Sequence, residues 1–132
     1  MKQKRQAMIM VGLFLCSSLV LAQAYTAMAE GLRPSQKIMQ ARAGWMKAMG
    51  ENLTAMNYDS VKKDAEALAG QTKGVAEKQT DPLAKELTLK VSTLATALAG
   101  AAEKKDTAVA TAKLAEIKAT CGECHAKIRD KK

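Results

Sequence analysis

Aromatic side chains are scarce in this 132-residue chain, which holds one Trp, two Tyr and one Phe. Histidine occurs once, proline twice and cysteine three times. Each shortage closes off a class of function. With so few aromatics, and with basic residues interspersed among acids, nothing resembles a base-stacking or nucleic-acid-binding surface. One histidine, no Ser/His/Asp set, no paired carboxylates and no phosphate-cradling loop leave no recognisable catalytic machinery, so the chain does not read as an enzyme. Neither a Pro-rich nor a Gly/Ser-rich linker divides the region beyond residue 30, and no internal repeat is visible there.

What is present begins with a targeting pattern. Lys2, Lys4 and Arg5 form a positive start, an apolar run extends from Ala7 to Ala22, and Ala27-Met28-Ala29 precedes Glu30 at cleavage spacing. This predicts a signal peptide over 1–29 and export to the periplasm, with Ala22-Gln23-Ala24 before Tyr25 as the alternative cut. The apolar run is short for a membrane span, so the mature form is expected not to span a membrane. Cys16 lacks the small preceding residue of a lipoprotein site and would leave with the signal. The remaining 103 residues, Glu30 to Lys132, make one small domain. Removing Lys2, Lys4 and Arg5 takes the formal charge from +8 to +5. A basic surface of this kind would steer the protein towards an acidic redox partner or an anionic membrane face.

Helix-favouring Ala, Leu, Lys and Glu dominate the mature region. Four helices are expected: about Pro34 to Met56, Ser60 to Lys78, Pro82 to Lys104, and from an Asp106 cap to about Arg129. Their apolar stripes recur at steps of three and four. The first carries Ile38, Trp45, Met49 and Met56, widened by Met46 and Leu53. The second has Val61, Ala65, Leu68 and Val75, with Gly70 and Gly74 making it the element expected to be irregular. The third has Leu83, Leu87, Val91, Leu94, Leu98 and Ala101. The fourth has Val109, Leu114, Ile117, Cys121, Cys124 and Ile128. Asn57-Tyr58-Asp59 and Asp81-Pro82 supply start signals. Four helices of about 30 Å joined by short loops predict an all-α, antiparallel up-down-up-down four-helix bundle.

Cys121-Gly122-Glu123-Cys124-His125 carries the chemistry. Cys-x-x-Cys-His is the attachment spacing of c-type haem: two thiols for thioether links and an adjacent imidazole for the iron. Cys121 and Cys124 fall in phase with the apolar stripe, so their sulfurs are expected to face the core. A disulfide across so short a loop would stabilise little and would give His125 no role. A haem-free helical protein using these three residues for a metal or a disulfide is the reading from a different class.

The signal pattern, the four helices and the motif near the chain end together resemble the class II cytochromes c, the cytochrome c-prime and c-556 proteins. The resemblance implies one covalent haem c, with Cys121 and Cys124 as thioethers and His125 as proximal iron ligand. It also places Met46, four residues after Arg42, on the distal side, where c-556-like members bind iron through methionine sulfur. The implied function is a periplasmic electron carrier with low-spin His/Met haem and redox-protein partners. The c-prime alternative is a five-coordinate protein that binds nitric oxide or carbon monoxide. The resemblance further implies propionate contacts from Arg42 and Arg129. Met49 is the fallback ligand, Met39 and Met56 read as core, and Trp45 is expected near the haem edge or the core. An apolar helix face would also suit a homodimer.

Overall fold

The protein is described here from a computed structural model covering residues 33–129, with side chains through residue 128. The expected signal peptide and its cleavage site lie outside the described residues. Among those residues there are four α-helices and no strand: α1 Pro34–Thr54, α2 Tyr58–Ala76, α3 Pro82–Glu103 and α4 Thr107–Cys124, followed by one π-helical turn, His125–Arg129. None of the helices is long and apolar enough to cross a membrane.

The helix starts follow local chemistry. At the head of α1, Gln36 reaches back so that its Oε1 accepts the Arg33 N–H at 2.9 Å, half of a capping box. Asn57, Asp81 and Asp106 cap α2, α3 and α4, their side-chain oxygens accepting from the N–H of Ser60, Ala84 and Val109 at 3.4, 2.8 and 3.1 Å. Pro82 follows its cap, where a missing N–H costs nothing.

Two of the connections share one construction. At the end of α1, Met56 donates its N–H to the Leu53 carbonyl and Asn57 to that of Asn52. At the end of α3, Lys105 donates to Ala102 and Asp106 to Ala101. Both are Schellman motifs. Their left-handed positions are held by Met56 (φ 55°) and Lys105 (φ 56°), and the next residue is in each case the cap of the following helix. The α2–α3 connection is longer, spanning residues 77–81, and has no left-handed residue.

From Gln40 to the end the chain forms one compact unit. Side-chain contacts show which helix ends meet. Tyr58 and Thr107 share a 2.7 Å hydroxyl hydrogen bond, joining the starts of α2 and α4. Lys62, early in α2, pairs with Glu103, the last residue of α3, at 2.9 Å. Arg42, in the first half of α1, reaches Gln71 late in α2. Each chain neighbour therefore runs opposite to the last, consistent with a four-helix bundle.

The core is a single apolar cluster built from all four helices. Met49, Leu68, Leu98 and Ile117 are its largest fully buried members, and Trp45, Met46, Leu94 and Cys121 pack on it half-buried. Eight of the seventeen buried hydrophobic residues are alanines, all on α2, α3 and α4, and α3 approaches both α2 and α4 closely. The cluster takes in Leu68, Val91 and Ile117; the next buried positions towards the α2–α3 connection are Thr72, Ala76, Ala84, Leu87, Thr88 and Thr120. The three threonines satisfy their hydroxyls locally, each donating to the carbonyl four residues back.

Several expectations need correcting. Met39 and Met56 are 43% and 70% exposed, not core; Met56 is thrown outward by its left-handed corner position. Leu83 and Val109 are in phase with their stripes yet exposed, because each stands in the first turn of its helix. Gly70 and Gly74 leave α2 unbroken. The irregular element is instead the end of the fourth helix, where α-helical bonding stops at Cys124 and the wider π turn takes over.

Candidate functional site

The last turn of α4 holds the motif. Thr120 is buried and bonded back to Glu116, which fixes the helix just before Cys121. Cys121 and Cys124 are three positions apart and so stand on one face of α4. Both are free thiols and both are half-buried, with Cys121 packed on the core cluster. His125, also half-buried, opens the π turn, and its backbone N–H is shared between the carbonyls of Cys121 and Gly122. Single π turns inside helices recur at functional sites, and here the switch falls on the imidazole-bearing residue. On the outer side, Lys127 donates to Glu123 at 2.6 Å, an i,i+4 ion pair across the switch.

Arg42 comes from α1 to meet this motif. Its Nε donates to Gln71 Oε1 at 2.8 Å, while its Nη2 is buried with no hydrogen-bond partner. Burial pulls the guanidinium below its ordinary pKa, and the neighbouring thiols of Cys121 and Cys124 oppose that shift. The thiols in turn are pushed above their ordinary value by burial, with Arg42 pulling the other way. The Arg42 charge and the two thiols therefore act on one another electrostatically. Among the described residues no carboxylate forms an ion pair with Arg42. A buried donor without an acceptor costs about 1–3 kcal/mol, more for a charged group, so this position would gain from an anionic acceptor.

Met46 lies one helical turn beyond Arg42 on the same side of α1 and packs half-buried against the core. Met49, the fallback ligand, is fully buried inside the cluster. Trp45 is half-buried on the same cluster, as expected of a core-edge residue. The Arg129 side chain lies outside the described residues. No three His, Cys, Asp or Glu side chains converge as a metal-ligand group among the described residues, which leaves the three-ligand metal site of Cys121, Cys124 and His125 without geometric support.

Gln71 is the site residue that sequence reasoning missed. It stands 29 positions from Arg42 on another helix, and an isolated glutamine in a helical run carries no local signal of its partner. No protein-family model, curated protein or solved structure matches this chain.

Proposed function

We propose that this chain is a periplasmic monohaem c-type cytochrome of the class II kind, an electron carrier rather than an enzyme, folded as an antiparallel up-down-up-down bundle. The observation that carries the reading is the conjunction of Cys121-Gly122-Glu123-Cys124-His125 with the unpartnered buried guanidinium nitrogen of Arg42, whose charge acts on the two thiols. Thiols and an imidazole at this spacing fit the two vinyl groups and the iron of haem. A buried cationic donor fits its propionates.

The residues divide the work. Cys121 and Cys124 hold the group covalently by their sulfurs. His125 supplies the proximal nitrogen and Met46 the distal thioether sulfur, a soft donor that favours the reduced iron. Arg42, with Arg129 as a second candidate, meets a propionate by a charge-assisted hydrogen bond. The bound haem c supplies one-electron chemistry. His125 and Met46 would each bind the iron from a helical segment, so little would need to move between redox states. Redox proteins are the proposed partners, and a homodimer through an apolar helix face is compatible with this role.

The test is haem staining on a denaturing gel after co-expression with the cytochrome maturation machinery, because thioether-bound haem survives unfolding. The wild-type chain is expected to stain, and the Cys121→Ser/Cys124→Ser double variant to lose the stain. An unstained wild-type band would overturn the proposal.

A further inference from the structure

A guanidinium offers two hydrogen-bonding edges to a planar acceptor, one made by Nε with Nη2 and one by Nη1 with Nη2. In Arg42 the single Nε proton is committed to Gln71 Oε1 at 2.8 Å, across 29 residues and between two helices. The side edge is thereby closed to an incoming carboxylate. Nη2 is buried and without a partner, so the end edge remains. The type of residue that closes the side edge matters as much as its position. A glutamate at 71 would hold the same proton and also neutralise the charge. A glutamine accepts the proton and leaves the full positive charge for another acceptor.

We propose that Gln71 is a positioning residue: by accepting the Nε–H of Arg42 it fixes the guanidinium so that its end edge, which carries the unpartnered Nη2, receives a carboxylate of the bound macrocycle. This rests on the haem reading above. The choice of an uncharged acceptor keeps the positive charge of Arg42 near the iron, where it favours the reduced state.

The test compares wild-type holoprotein with Gln71→Met, which keeps the length but removes the acceptor, and Gln71→Glu, which keeps the acceptor but adds a negative charge. Two readouts are taken on each: the reduction potential, and the Arg42 Nε–H resonance of the ferrous protein by nitrogen-15 NMR. Gln71→Met is expected to lose the protected Nε–H resonance and to lower the potential. Gln71→Glu is expected to keep the resonance and lower the potential further, on the order of tenfold in the reduction equilibrium, about 59 mV for one electron. A tie that merely joined two helices would leave the potential unmoved in Gln71→Met, which removes the acceptor without adding a charge. A Gln71→Met potential equal to wild type, with haem stain and spectrum intact, would overturn this inference alone. An unstained wild-type protein would overturn the haem reading and this inference with it.

Discussion

The two ends of the bundle are built on opposite terms. At one end, two Schellman corners at Met56 and Lys105 each hand over directly to a cap, Asn57 or Asp106. Tyr58 bonds to Thr107, and Lys62 pairs with Glu103. Between them the large apolar side chains and close-packed alanines form one cluster. At the other end the connection is longer, the buried positions include three threonines, the last helix changes to a π turn, and Arg42 Nη2 is buried unpaired. The first end satisfies its own polar groups. The second, with two thiols and an imidazole, leaves Arg42 Nη2 without an acceptor among the described residues. The large buried apolar side chains are concentrated towards the first end, and the proposed haem attachment falls at the second.

The sharpest way to break that comparison is at Leu98, fully buried in the corner-side cluster. Leu98→Ala is expected to destabilise the protein by about 2–5 kcal/mol in denaturant unfolding without altering haem attachment. A loss under half a kcal/mol would show that the cluster is not where stability resides. Next in size, Asp106→Ala should cost about 1 kcal/mol by removing the cap at the head of α4, again with the haem spectrum unchanged.

Lys105→Gly works in the other direction. Its left-handed backbone strains a residue with a side chain by roughly 1–2 kcal/mol, partly offset because glycine loses more freedom on folding. The expected outcome is a small rise in unfolding midpoint. The smallest effect is electrostatic. Lys62 holds the Glu103 carboxyl below its ordinary 4.5 through a hydrogen bond and an ion pair. A lowered carboxylate contributes stability above its unfolded pKa and loses it as pH falls through the folded value. Wild type should therefore exceed Glu103→Gln slightly at neutral pH, with the gap closing in thermal melts below pH 4.5. The pair is exposed, so the gap should also shrink with added salt.

The parts of this architecture legible in the sequence were those written locally. Asn57, Asp81 and Asp106 marked three helix starts because a cap is made within three residues of itself. Pro34 and Pro82 marked two starts because proline suits a first helical turn. The motif at 121–125 was legible as a spacing, and its two cysteines do share one face of α4. The stripes failed at their ends: Leu83 and Val109 keep the helical phase but have no facing helix to cover them, and phase alone does not report coverage. Gly70 and Gly74 did not disturb α2, because helix packing outweighs a propensity cost of about 1 kcal/mol per glycine. The ties between Arg42 and Gln71 and between Tyr58 and Thr107 were out of reach, being set by how separate helices meet. The π turn was equally hidden, since its residues show no composition that separates them from an ordinary helix end.

The central claim is that iron held at Cys121-Gly122-Glu123-Cys124-His125 is closed on its other side by Met46. The absorption spectrum of the native ferric holoprotein, set beside that of Met46→Ala, tests it most directly. A low-spin spectrum is expected, with a methionine-sulfur-to-iron charge-transfer band that disappears in Met46→Ala. A high-spin, five-coordinate spectrum in the native protein would contradict it and make the gas-binding alternative the better description.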